Sequence, residues 1–142
     1  MRDLFFLIII GSAIVAILMS FRLLLKNQPL HGSRISFRNF LVLIAVYITV
    51  MAGFGVIYLG LELMGIDVLI EGNELEHDTF LHLVEDVLYF SAVTLMTVGY
   101  GDIIPQGIGR WIAMVQALIG YLLPAAFVVT TVIHHDKKAE RL

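Results

Sequence analysis

The 142-residue sequence has no cysteine, only three prolines and few charges, with 15% of its residues Asp, Glu, Lys or Arg. Without cysteine there is no disulfide framework and no thiolate metal site. Basic residues are also too few to suit a nucleic-acid partner: nine Lys and Arg against twelve Asp and Glu leave a net charge of −3. What is abundant is apolar. Hydrophobic residues make up 59% of the chain and the mean hydropathy is +0.92. A soluble domain carries about 45–50% apolar and about 25% charged residues, so a single soluble core could not hide this surface. A bilayer is the expected solvent, and the same apolar excess excludes a disordered chain.

Charge is missing from three long stretches. Residues 4–21, 39–61 and 111–133 run 18, 23 and 23 positions without Asp, Glu, Lys or Arg. About 20 helical residues cross ~30 Å of hydrocarbon, so each is read as a transmembrane helix. The first extends past Arg22, whose stem can reach the headgroups, to Leu25. No A-x-A-like site follows it, so a retained helix is expected rather than a cleaved signal.

Between Arg38 and Arg110 there is no basic residue at all. Lys and Arg collect on the cytoplasmic side. The expected topology therefore has the N-terminus outside, residues 26–38 inside, 62–110 outside and the C-terminus inside. Nine of the twelve acidic residues (Glu62, Asp67, Glu71, Glu74, Glu76, Asp78, Glu85, Asp86 and Asp102) fall in the outer segment. They either concentrate cations or simply solvate a loop from which Lys and Arg are excluded. Residues 26–38, with Pro29 and Gly32, read as a turn and a short basic interfacial run, or as a plain positive-inside anchor.

A fourth apolar stretch, 84–96, is too short to span. Glu85 and Asp86 near its start suit the positive end of a helix. A short helix followed by a glycine-bearing strand reads as re-entrant, and irregular backbone at that depth is tolerated where it is buried in protein or lines an aqueous path. Thr97, Val98, Gly99, Tyr100, Gly101 and Asp102 follow. Two glycines at alternate positions permit positive φ, which can turn successive carbonyls to one side. The carbonyls of Thr97, Val98, Gly99 and Tyr100, with the Thr97 hydroxyl, could then replace the hydration shell of a monovalent cation. The Val98 and Tyr100 side chains would point away and brace the strand from behind.

Residues 97–101 resemble the signature filter of the tetrameric potassium channels. The resemblance covers about half the chain, from 84 to 133, and includes Gly109-Arg110 opening the third helix and Gly120 at the inner-helix hinge position. Together with the three transmembrane helices read above, it implies an all-α membrane protein with a re-entrant pore helix and a filter strand in a fourfold-symmetric homotetramer. Residues 1–25 form an extra N-terminal helix, 26–38 a cytoplasmic connector, 39–133 the pore domain and 134–142 a short cytoplasmic tail. Within the pore domain the outer helix is 39–63, the acidic extracellular turret 64–83, the pore helix 84–96, the filter 97–101 and the inner helix 109–133. The implied activity is passive K+ conduction in a bacterial or archaeal plasma membrane. K+ is held at Thr97, Val98, Gly99 and Tyr100, and Gly101 completes the filter. No enzyme and no cofactor beyond the permeant ion are expected. A weakly selective monovalent cation channel and a non-conducting accessory membrane protein are the alternatives.

The sequence also departs from the family. Val93 stands where some members carry a glutamate paired with the acid after the filter, so Asp102 is left to bond Tyr89. Met96 replaces the more usual threonine before Thr97, near the cavity. Gly120 and Pro124 together predict a bend in the inner helix, as a gating hinge or as a packing glycine beside a static kink. Below them Phe127, Val128 and Val132 could form an apolar constriction, although any inner helix carries such residues. The first helix lacks the arginine period of a voltage sensor. Gly11, Ser12, Ala13 and Ala16 are its candidate contacts with the second helix.

Overall fold

A computed structural model describes residues 2–26, 37–71 and 80–139. Four helices carry the fold: α1 (Arg2–Lys26), α2 (Phe37–Leu63), α3 (Phe80–Leu95) and α4 (Gly109–Ala139). Two three-residue strands, β1 (Leu69–Glu71) and β2 (Ile103–Pro105), pair antiparallel with Ile70 opposite Ile104. The all-α expectation is corrected by this small sheet, which lies in segments read as turret and post-filter loop. Three residues per strand are too few to show the alternating pattern that announces a strand.

Helix α3 starts at Phe80, four residues earlier than expected, because its apolar face continues upstream through buried Leu83 to Val87 and Phe90. Glu85 and Asp86 consequently sit past the first turn rather than at the N-terminus. Helix α4 runs on to Ala139, since the polar residues after Ile133 include neither Gly nor Pro to stop it. Residues 27–36 of the expected connector and 72–79 of the expected turret lie outside the described residues. Among the described residues one helical stretch, Phe40–Leu63 with mean hydropathy 2.6, is long and apolar enough to cross a membrane. In α1 a shorter apolar stretch, Leu4–Ser20, accompanies it.

Helix α2 sits centrally. Val46, Val50, Phe54 and Tyr58, spaced four apart on one face, are buried against Leu83, Val87, Phe90 and Leu95 of α3 and Leu123 of α4. An adjoining face receives α1. Ile17 and Ile10 lie over Gly53 and Gly60, and a Cβ at those glycines would stand 2.7 and 2.9 Å from the isoleucine carbons. The small residues of this contact are thus on α2. Of the four expected on α1, Ala13 is buried, whereas Gly11, Ser12 and Ala16 are exposed. Large isoleucines on α1 fit the notches that α2 provides.

At the end of α2 the Ile66 N–H donates to the Leu61 carbonyl (3.0 Å) and the Gly65 N–H to the Glu62 carbonyl (2.9 Å). Gly65 takes φ +80° between them. This is a Schellman stop with glycine in the left-handed position. Glu62 Oε1 then accepts the Val68 and Leu69 N–H groups (2.8 and 2.9 Å), steering the chain into β1.

Candidate functional site

Helix α3 ends in the same way as α2, with one chemical difference. The Thr97 N–H donates to the Thr94 carbonyl (3.1 Å) and the Val98 N–H to the Val93 carbonyl (2.9 Å). The left-handed position between them is held by Thr97 at φ 56°. A β-branched residue with positive φ is a genuine outlier, and such strain costs about 1–3 kcal/mol. Positive φ recurs at Gly99 (58°) and Gly101 (82°), with Val98 and Tyr100 on the negative side between them. The alternation precludes a pleated strand, so residues 98–100 join no ladder, and the expected filter strand is an irregular segment instead. Alternating signs are the backbone condition for turning consecutive carbonyls toward one axis.

Val93 reaches this segment through its backbone. Its carbonyl accepts the N–H groups of both Val98 and Gly99 (2.9 and 3.3 Å). At the far end the Tyr89 hydroxyl donates to Asp102 Oδ2 (2.6 Å), while Asp102 Oδ1 accepts the Ile103 N–H (3.0 Å). The Tyr89 hydrogen bond holds the Asp102 carboxyl below its ordinary value, against a smaller opposing effect of desolvation. Met96, Val98 and Tyr100 are exposed within the single chain, Tyr100 to 73%. The chain itself therefore offers no wall behind them.

Gly120 is buried where α4 crosses the last turn of α3, and a Cβ there would overlap the Leu95 carbonyl. Helix α4 continues through Pro124. Because Pro124 has no N–H, the Gly120 carbonyl lacks its i+4 donor. The Tyr47 hydroxyl of α2 replaces it at 3.1 Å. Tyr47, Gly120 and Pro124 line an apolar cavity of about 620 Å3, open beside Leu95, Met96 and Thr97. Val128 is exposed on α4. The side chains of Phe127 and Val132 lie outside the described residues.

Above Gly120 a buried polar chain links three helices. Tyr58 of α2 donates to Gln116 Oε1 (3.0 Å). Gln116 Nε2 of α4 donates to the Ser91 carbonyl and Oγ (2.8 and 2.7 Å). Ser91 Oγ of α3 donates onward to the Met51 carbonyl of α2 (2.7 Å). Tyr58, Ser91 and Gln116 are fully buried, and the Phe90 ring stands edge-on to Tyr58 at 5.2 Å. Residue-by-residue reading missed this chain and Tyr47. An amide inside a charge-free apolar run was the available signal, because a polar group there must find partners.

Comparison with known proteins agrees with this arrangement at the level of family. Residues 41–134 match the family model described as "Ion channel". Protein LctB of Bacillus caldotenax is 41% identical over 113 residues, covering 80% of this chain and 83% of the relative. Protein LctB of Geobacillus stearothermophilus is 42% identical over 105 residues, covering 74% and 78%. No solved structure matches.

Proposed function

This chain belongs to the ion channel family, and from that premise we propose that it is the pore-forming subunit of a potassium-selective channel. The observation that carries the reading is the alternation of positive φ at Thr97, Gly99 and Gly101, directly after the C-terminus of α3. Carbonyls of Thr97, Val98, Gly99 and Tyr100, with the Thr97 hydroxyl, line the path and take the place of water around K+. The negative end of the α3 dipole favours a cation at the inner mouth. The electrochemical gradient supplies direction, and the protein lowers the dehydration barrier.

One such segment cannot enclose an ion, so four chains surround a common axis. The exposure of Val98 and Tyr100 supports this reading, because neighbouring chains supply the missing wall. In the membrane, α1, α2 and α4 span and α3 re-enters from outside. Arg38, together with Lys137 and Lys138 at the end of α4 and Arg141 beyond it, faces the cytoplasm of a bacterial or archaeal cell, with the N-terminus outside. Residues 1–25 are the added helix, 26–38 the connector, 39–133 the pore domain and 134–142 the tail. Asp102 and Tyr89 support the filter from outside, with Val93 and Met96 at its base. Gly120 and Pro124 form the moving joint, and Phe127, Val128 and Val132 the apolar constriction below.

The test is reversal potential in liposomes containing the purified chain, with K+ exchanged for Na+ on one side. The expected result is a reversal potential that follows the K+ gradient. Equal permeability to both ions would mean a weakly selective cation channel, and no current a non-conducting accessory protein. Either outcome defeats the potassium reading.

A further inference from the structure

The buried chain Tyr58–Gln116–Ser91 has no place in the conduction path, yet it joins every helix around the base of α3. Its bonds are directional and complete. Gln116 uses both hydrogens of Nε2 on Ser91 and its Oε1 on Tyr58, and Ser91 passes its own hydrogen to Met51. Among the described residues no buried side-chain polar atom is left without a partner. Apolar packing alone lets a helix slide or rotate at small cost, whereas a satisfied buried network specifies one arrangement. Ser91 lies two residues before Val93, whose carbonyl holds the N–H groups of Val98 and Gly99. Any rotation of α3 at Ser91 is therefore delivered to residues 97–101.

We infer that Gln116 is a positioning residue for ion selectivity, fixing the height and rotation of α3 so that the carbonyls of residues 97–100 hold the spacing that distinguishes K+ from Na+. The inference rests on the potassium reading above. Gln116 touches no ion; it acts through Ser91 and Val93. Tyr58 orients the amide, so that Nε2 rather than Oε1 faces Ser91, whose carbonyl can only accept.

The test compares wild type, Gln116→Leu and the double variant Tyr58→Phe/Gln116→Leu, which leaves no orphaned hydroxyl. All are purified as assembled protein and reconstituted in liposomes. Two quantities are read: the K+/Na+ permeability ratio and the hydrogen–deuterium exchange of amides 97–101. In Gln116→Leu and in the double variant the ratio is expected to fall at least tenfold with K+ current retained, and exchange to quicken at least tenfold. Ser91→Ala, which keeps the Ser91 carbonyl, is expected to move both the same way but less. It also decides the matter if Gln116→Leu does not assemble. Val50→Ala opens a cavity in the same core without touching the polar chain, and is expected to lower the melting temperature while leaving both readouts in place. Assembled variants with wild-type ratio and wild-type exchange overturn the inference, as does an equal change in Val50→Ala. A wild type without preference for K+ overturns the potassium reading alone, and the exchange of residues 97–101 still decides the role of Gln116.

Discussion

Thr97 and Gly65 occupy the same left-handed position in two equivalent helix stops, and the contrast separates structure from function. Glycine takes that conformation freely, whereas threonine is strained and brings a hydroxyl to the mouth of the candidate site. Glycine at 120 has a different reason: it lets the α4 backbone meet the Leu95 carbonyl. Gly120→Ala is expected to destabilise the protein by about 1–3 kcal/mol, the usual cost of overpacking, measured by thermal or denaturant unfolding. Asp102 gives a pH prediction. Its pKa in the folded protein lies below the ordinary 3.8, so its contribution is complete above that value and is lost as pH falls through the depressed one. The melting temperature of the assembled protein is expected to be insensitive to this group near neutrality and to drop below pH 3.8. In Tyr89→Phe the acid limb moves upward, because the hydroxyl that holds the carboxylate is gone.

At the scale of elements, the turn of α4 between Gly120 and Pro124 is bonded to α2 through the Tyr47 hydroxyl. Tyr47→Phe leaves the Gly120 carbonyl with neither its helical donor nor a substitute. A hydrogen bond is worth about 0.5–1.5 kcal/mol net, so the arrangement described here should lose about two- to tenfold in population. Single-channel open probability measures that shift, and an unchanged value would mean the bond does not distinguish the channel's states. Helices were the legible part of this chain. Charge-free runs announce α2 and most of α1 and α4, whereas the string from Thr97 to Gly101 announces its positive-φ glycines but was read as a strand where the backbone is irregular. The β1–β2 pair was not legible, because three residues leave no period. The start of α3 was displaced because Glu85 and Asp86 resemble a helix beginning, while the burial of Leu83 that extends it is a tertiary fact. Of the α1 small residues expected at the contact with α2, Ala13 lies there and the other three do not, while the notches at Gly53 and Gly60 went unread, since notches and knobs look alike until both faces are seen.

Across the whole molecule, acidic residues gather between α2 and α4, while Arg110 is the one Lys or Arg between Arg38 and Lys137. Not all of this charge is available to attract ions, since Glu62 is spent on the backbone of Val68 and Leu69. Asp67 and Glu85 are exposed. Neutralising them as Asp67→Asn and Glu85→Gln is expected to lower cation conductance at about 10 mM salt, where the screening length is ~30 Å. At about 1 M, where it is ~3 Å, conductance should be unchanged. Conductance that changes equally at both salt levels would mean the residues act through structure instead of their field. The stop at the end of α3 also has a bearing on biogenesis. Its hydrogen bonds join Thr94 to Thr97 and Val93 to Val98 and Gly99, partners no more than six residues apart. Contacts this local form early and need no other subunit. In the fourfold channel proposed above, a newly inserted chain thus acquires the entrance to its ion path before it meets its neighbours, and oligomerisation has only to close a ring whose pieces are already shaped.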